Sequence, residues 1–279
     1  MQIGYWCDIG QTNQLNEDSV LCLTLDMEFS SGKKSAGLFI VADGMGGHNA
    51  GEIASEWCIR IVAEQFLNKT LITPAKSAGK ITTNDNPQSI LKNSANTANR
   101  RLFERARKNK CYQGMGTTVT AALIIGHDLY VAHVGDSRCY IINERETMQV
   151  TKDHSYVQEL VDAGLLTPEQ ARTHSQKNVI TRALGYYREV TIDSHRLNLY
   201  QGDSVLLCSD GLWEVVPDKK IAELVIATTE PQQACLNLVN LANQLGGPDN
   251  ISVVIIRPEH LPSLHEILAA ETRMWRDDQ

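Results

Sequence analysis

Four apolar, strand-like runs in this 279-residue chain each meet an aspartate beside a glycine, serine or asparagine. LFIVADG ends at Asp43-Gly44, LYVAHVGDS at Asp136-Ser137 and VLLCSDG at Asp210-Gly211, while Gly247-Pro248-Asp249-Asn250 leads into ISVVII. A fifth acidic pair, Glu17-Asp18, precedes VLCLTL. Carboxylates at the ends of buried strands are costly to desolvate unless water or a cation compensates them. Any single Asp-Gly, Asp-Ser or Asp-Asn pair reads as a turn. Four of them on separate strands ask for more, because independent turns need not all carry Asp. Converging carboxylate oxygens suit a hard divalent ion such as Mg²⁺ or Mn²⁺, so metal-assisted hydrolysis is the first expectation.

The chain is 42% hydrophobic and 21% charged, which fits a globular enzyme and excludes a disordered chain. A formal charge of −7, from 33 acidic and 26 basic residues, argues against a general nucleic-acid binder. Seven cysteines without a Cys-x-x-Cys pair, several inside apolar runs, read as buried reduced thiols. MQIGYWCDIG lacks a basic region followed by an apolar core, and the apolar runs are too short to span a bilayer. The expectation is a cytoplasmic protein with no membrane partner.

Strands are expected at Ile3 to Asp8, Val20 to Asp26 and Leu38 to Ala42, with a hairpin loop at Ser30 to Lys34. Ile53, Trp57 and Ile61 recur at helical spacing, widened by Cys58, Val62 and Phe66. Residues Thr70 to Asn86 read as a loop, and Pro87 opens a second helix to about Arg107. From Thr117 to Val150 short strands follow one another, turning first at Gly126-His127-Asp128, which favours antiparallel pairing. Two short helices are expected within Ser155 to Arg172, in a polar surface excursion from His154 to Gly185. Strands resume at Glu189 to Leu197 and Ser204 to Cys208, and helices follow at Pro217 to Ala227 and Gln232 to Gln244. A last core strand at Ile251 to Ile256 precedes a C-terminal helix, Leu261 to Met274. Separate runs of strands and helices point to an α+β fold with antiparallel sheets packed face to face and helices outside. One domain over 1–279 is expected, with a C-terminal helical extension at about 260–279.

VADGMGGHNAGE resembles a dinucleotide fingerprint only superficially, since Asn49 stands where the last glycine belongs. Neither a phosphate-binding G-x-x-x-x-G-K-[ST] loop nor an EF-hand string occurs. The glycines instead let backbone approach a metal, with the Gly44 carbonyl as a ligand.

In order along the chain stand NEDS (Asn16 to Ser19), VADGMGGH (Val41 to His48), GMGTT (Gly114 to Thr118), VGDSR (Val134 to Arg138), DHS (Asp153 to Ser155), NVITRALG (Asn178 to Gly185), SDGLW (Ser209 to Trp213) and GGPDNISVV (Gly246 to Val254). In this order and spacing they resemble the metal-dependent serine/threonine protein phosphatases of type 2C, the bacterial branch in particular. The resemblance implies a four-layer α-β-β-α sandwich with metals in a cleft at one edge, and a flap at about 155–181 beside it. It implies that Asp43 bridges two Mn²⁺ or Mg²⁺ ions, with the Gly44 carbonyl on one and Asp210 and Asp249 on the other. Glu17 and Asp18 would hold metal-bound waters, and Asp136 with Asp210 would take a third, weaker ion. The implied reaction is hydrolysis of phosphoserine and phosphothreonine monoesters by a metal-activated water, opposing a bacterial Ser/Thr kinase. The implied partners are phosphorylated proteins, substrates of that kinase, and the kinase itself, met by a monomer. His48, next to the bridging Asp43, is the candidate general acid for the leaving alkoxide. His133 reads as a packed strand residue, and His154 and His174 as braces of the flap.

One departure stands out. The family commonly carries arginine three residues before the Asn of its NED string, gripping the substrate phosphate, and here that position is Asn13. Arginine grips phosphate bidentately with a permanent charge, whereas asparagine offers neutral hydrogen bonds. Weaker phosphate binding, or compensation by a third metal or another basic residue, is expected. Two other readings stay open: a hydrolase of small phosphate esters, separable by assay on nucleotides and sugar phosphates, and a non-catalytic scaffold, which has no need of so many buried carboxylates.

Overall fold

Residues Leu38 to Ala42 are all buried, and they divide by parity. Leu38, Ile40 and Ala42 pack into a cluster shared with helices, while Phe39 and Val41 join a cluster formed between two sheets. Successive strand side chains face opposite sides, so a continuous apolar run needs cover on both. A sandwich with helices outside supplies it.

The computed structural model describes residues 1–29, 32–46, 50–72, 86–259 and 261–262. Its strands are β1 (Gln2–Asp8), β2 (Asp18–Phe29), β3 (Gly32–Met45), β4 (Gly116–Thr117), β5 (Val119–Ile125), β6 (Asp128–Val134), β7 (Arg138–Ile142), β8 (Thr147–Gln149), β9 (Asp193–Asn198), β10 (Ser204–Cys208) and β11 (Ile251–Arg257). Its α-helices are α1 (Gly51–Leu67), α2 (Pro87–Lys108), α3 (Tyr156–Asp162), α4 (Pro168–Arg172), α5 (Asp210–Trp213), α6 (Asp218–Ala227) and α7 (Pro231–Gln244). One sheet has the order β1-β11-β10-β7-β8 and the other β2-β3-β5-β6-β9, with β4 beside β3. The pairings are antiparallel. Helices α1 and α2 cover the second sheet, and α5, α6 and α7 cover the first. This is the α-β-β-α sandwich that the motifs imply.

Several expectations shift in detail. The β2–β3 hairpin pairs as far as Phe29 with Gly32, so Lys33 and Lys34 belong to the strand and only Ser30 and Ser31 lie outside the described residues. The buried stripe of α1 runs through Ala54, Cys58, Ile61, Val62 and Phe66, and Trp57 sits on its flank beneath the Arg105 guanidinium, 3.5 Å from the ring centre. The strand run after Thr117 is shared between both sheets: β5 and β6 pair in one, β7 and β8 in the other, with Gly135 (φ 113°) at the crossover. The strand expected from Glu189 starts only at Asp193, which pairs with His133 one residue before β6 ends at Val134, so the residues before it have no β6 backbone to pair with. The expected C-terminal helix lies outside the described residues except for Leu261 and Pro262.

All seven cysteines are free; Cys58, Cys139, Cys208 and Cys235 are buried as expected, but Cys7 and Cys111 are exposed. Among the described residues, no helix is long and apolar enough to cross a membrane.

A buried charge braces the crossover. Arg138 donates to Asp153 from Nε (2.9 Å) and Nη2 (2.7 Å), and its guanidinium carbon lies over Trp213, 3.6 Å from the ring centre. Removing one partner of a buried pair strands the other charge, so Asp153→Ala is expected to lower the unfolding free energy by about 3–5 kcal/mol in urea titration. A loss below 1 kcal/mol would show that water already reaches Arg138.

Candidate metal centre

The ends of both sheets deliver the acidic residues to one edge of the sandwich. Asp18 opens β2 and pairs directly with Asp43 near the end of β3. Asp136 lies in the crossover from β6 to β7, Asp210 begins α5 just after β10, and Asp249 precedes β11. Asp43, Asp136 and Asp210 each offer an oxygen within 4.8 Å of the others.

The two threonines of GMGTT hold this geometry from behind. The Asp43 carbonyl accepts from Thr118 N (2.8 Å) and Thr117 Oγ1 (2.8 Å), and Asp43 N donates to Thr118 Oγ1 (2.9 Å). Thr118 Oγ1 also lies 2.6 Å from Ser137 Oγ, which links the Asp43 backbone to the residue after Asp136. Trp213 Nε1 donates to the Asp136 carbonyl at 3.0 Å. Ser209 Oγ donates to Asp18 Oδ2 (2.7 Å) and accepts from Ser252 N (2.9 Å). Asn250 straps the preceding loop: its Nδ2 donates to the Ile9 and Leu15 carbonyls, and its Oδ1 accepts from Glu17 N. The sequence does not single out these supporting residues, although each stands within one of the motifs, and Ser137, Ser209 and Asn250 directly adjoin an aspartate.

Glycine has a specific part at position 44. A β-carbon there would collide with the Gly51 carbonyl at the start of α1 and with the Glu17 carbonyl, which accepts a hydrogen bond from Gly44 N at 3.1 Å. Three backbone segments therefore meet at the residue whose own carbonyl was expected to face a metal.

The electrostatics are those of an uncompensated acidic cluster. Burial, then the charges of Asp18, Asp210, Asp136 and Asp249, push the Asp43 carboxyl well above the usual range. Asp210 is raised likewise by burial and then by Asp136, Asp249 and Glu214. Burial, with Asp153 adding repulsion, takes Asp136 up to about 7, and burial takes Asp18 up to about 6 against the opposing Ser209 hydrogen bond. Glu17 is raised by burial and by Glu52, a second acid in the first turn of α1. The Oδ1 atoms of Asp136 and Asp210 and the Oε2 atom of Glu52 are buried without a hydrogen-bond partner. Orphaned anionic oxygens of this kind are what a divalent cation satisfies, so the residues present fit one.

Asp249 differs from the other three. Its Oδ1 accepts from Asn13 Nδ2 (2.8 Å) and from Asn250 N (2.7 Å). Asn13, expected at the substrate phosphate, thus faces a candidate ligand. His48 lies outside the described residues. His133 is fully buried, its Nε2 3.1 Å from the Lys152 carbonyl and its ring stacked on His154 at 4.9 Å. His154 Nδ1 accepts from Gly135 N at 3.0 Å, and its Nε2 faces Asp193 at 3.2 Å. The segment closed by the Ser155–Ile180 bridge, where a flap was expected, carries α3 and α4, and Lys177 Nζ in it donates at 2.6 Å to Glu214, which follows α5.

The chain matches the family described as "Protein phosphatase 2C" over residues 7–251. It is 33% identical over 224 residues to the serine/threonine phosphatase stp of Listeria monocytogenes, covering 80% of this chain and 85% of that one. The crystal structure of the Mycobacterium tuberculosis serine/threonine phosphatase PstP/Ppp superposes with a TM-score of 0.77 at 35% identity, covering 93% of this chain and 100% of that one. A structure of the PstP catalytic domain in complex with two manganese ions gives 0.73 at 34% identity, covering 91% and 96%.

A carboxyl whose pKa is raised by folding keeps, in the folded chain, a proton that the unfolded chain has released. Folding is therefore increasingly disfavoured as pH rises from the unfolded value of about 4 to the folded one. For Asp136 that upper limit is about 7. In chelator, Asp136→Asn is expected to gain stability over wild type through this window, with the difference smallest at its acid end and level above its upper end. Urea unfolding at a series of pH values reads it; a difference independent of pH would show that this carboxylate is solvated.

Proposed function

The chain belongs to the protein phosphatase 2C family, and from that premise we propose that it removes phosphate from phosphoserine and phosphothreonine residues of proteins modified by a bacterial Ser/Thr kinase, the kinase included, in the cytoplasm. The observation that carries this reading is the convergence of Asp43, Asp136 and Asp210 oxygens within 4.8 Å, two of those residues holding a buried, unpartnered oxygen.

Asp43, the Gly44 carbonyl, Asp210 and Asp249 would hold two Mn²⁺ or Mg²⁺ ions, with Asp136 and Asp210 toward a third and Glu17 and Asp18 acting through water. Bound divalent ions supply a nucleophile at neutral pH and neutralise charge on the phosphoryl oxygens. The protein's own part is to keep acidic oxygens fixed against their mutual repulsion. Thr117 and Thr118 hold the Asp43 backbone, Ser209 orients Asp18, and Asn250 holds the loop that carries Glu17. The leaving alkoxide needs a proton, and His48 is the candidate donor from its place in the sequence. Asn13 acts on Asp249 rather than on phosphate, orienting that carboxylate through Oδ1.

Mn²⁺-dependent phosphate release from a phosphothreonine peptide tests the reading, and Asp210→Asn is expected to lower kcat by about 10²–10³-fold. Equal rates in the two proteins would overturn the ligand assignment. Asn13→Ala is expected to weaken the apparent Mn²⁺ affinity about tenfold, as loss of a partner to a ligand does, and to leave the peptide KM at saturating Mn²⁺ unchanged. A raised KM with unaltered metal affinity would put Asn13 on the substrate instead.

A further inference from the structure

The chain carries a net charge of −7, yet residues 100–110 hold six of its 26 basic residues and one acid, Glu104. Two of the six are engaged: Arg101 pairs with Glu64 at 2.6 Å, and Arg105 stacks on Trp57. Arg100, Arg107, Lys108 and Lys110 are exposed, as is Arg188 opposite them, and none of these five makes an ion pair among the described residues. They border two adjoining cavities between α2 and the segment that returns from the flap. One, of about 610 Å³, is lined by Arg107, Lys108, Lys110, Gly114, Gly185 and Tyr186. The other, of about 660 Å³, shares Phe103 and Arg107 and continues to Arg100, Arg188 and Glu189. Tyr186 and Tyr187 stand 55% and 58% exposed at its rim, in edge contact with each other at 5.1 Å.

The groove opens next to the acidic centre. From Gly114 the chain passes to Gly116 and Thr117, which pair with Met45 and Gly44 of β3. Two residues of extended chain span roughly 7 Å. From Arg107 back to Arg100 along α2 adds roughly 10 Å at the helical rise. A peptide whose phosphoresidue sits at the carboxylate cluster would therefore lay side chains about three to six positions away along these cations.

Resting on the phosphatase reading, we propose that this groove selects phosphoprotein segments whose flank is rich in aspartate and glutamate. Charge complementarity is the argument. Five cations without an ion pair among the described residues, against the two acids Glu104 and Glu189 on the second cavity, offer an acidic flank what Asn13 does not offer the phosphate, and attraction between exposed charges acts on encounter and register. Nucleic acid is the poorer occupant, because the groove is short and the rest of the surface is net acidic.

The test uses the full chain with Mn²⁺ and three probes: p-nitrophenyl phosphate, a phosphothreonine peptide with Asp and Glu at three to six positions on both sides, and the same peptide with Asn and Gln there. Wild type is expected to show a KM at least fivefold lower for the acidic peptide, and the gap is expected to shrink as salt is raised. The triple variant Arg107→Glu, Lys108→Glu, Lys110→Glu should erase the gap while leaving the neutral peptide and p-nitrophenyl phosphate within twofold of wild type. The pair Arg100→Glu, Arg188→Glu should narrow it, with melting temperatures confirming that both variants fold. Equal KM values for the two peptides in wild type, or a gap that survives in the folded triple variant, would overturn the assignment. Inhibition by an RNA oligomer without any preference for the acidic peptide would overturn it as well. Absence of any turnover of p-nitrophenyl phosphate would instead overturn the phosphatase reading, and this proposal with it.

Discussion

Repulsion among desolvated carboxylates is the constraint on which the rest of this structure depends. Burial first, and then repulsion from neighbouring acids, raises Asp18, Asp43, Asp136 and Asp210 above the ordinary carboxylate range; Asp43 feels Asp18, Asp210 and Asp136, while Asp18 feels Asp249 and Glu17, and Asp136 feels Asp153 and Glu214. Left to itself, such a cluster would push the strand ends apart or draw water between them. The sandwich resists because Asp43, Asp136 and Asp210 stand at the ends of runs in β3, β6, β7 and β10 that are buried on both faces, while the half-buried β2 that carries Asp18 is paired along its length to β3. The apolar core thus opposes the charge, and a divalent cation held by the proposed ligands would convert the same repulsion into binding energy.

The second line of resistance is polar and local. Asp43, Asp136 and Asp18 are each fixed by a neighbour that is itself fixed: Thr118 by Ser137, Trp213 by the Arg138 guanidinium, Ser209 by Ser252. Such outer partners orient ligands and are as much part of a metal site as the ligands themselves. The His133–His154 stack extends the chain of support, since His154 accepts from Gly135 and faces Asp193 while Arg182 pairs with the same aspartate at 3.2 Å. The crossover that presents Asp136 is therefore clamped from both sheets and by His154 and Arg182, which flank the Ser155–Ile180 bridge.

How much of this was legible in the sequence follows from which interactions are local. The sandwich could be read because parity and apolar runs are properties of single strands, and the acidic residues because each ends such a run. The β6 to β7 change of sheet could not, because a strand run with short turns looks alike whether its members pair or part, and only Gly135 hints at the crossover. The rotation of the α1 face had the same cause: Trp57 fits the apolar period, but its stacking partner Arg105 comes from another helix. Asn13 shows the limit most sharply. Its position relative to the NED string suggested the phosphate, whereas its partner Asp249 lies 236 residues away and can be found only in space.

That contact also changes what the missing arginine means. A guanidinium at position 13 would stand beside Asp249 and compete for the oxygen that a cation needs, whereas the asparagine amide donates one neutral hydrogen bond and leaves the carboxylate its charge. With Asp249 as a metal ligand, as proposed, the substitution would favour the metal side of the site over direct phosphate grip. Cationic surface suited to a phosphopeptide is then displaced outward, to the α2 cations that open beside β4. A centre arranged this way draws its discrimination from the flank of the substrate more than from the phosphate, which every phosphoresidue shares.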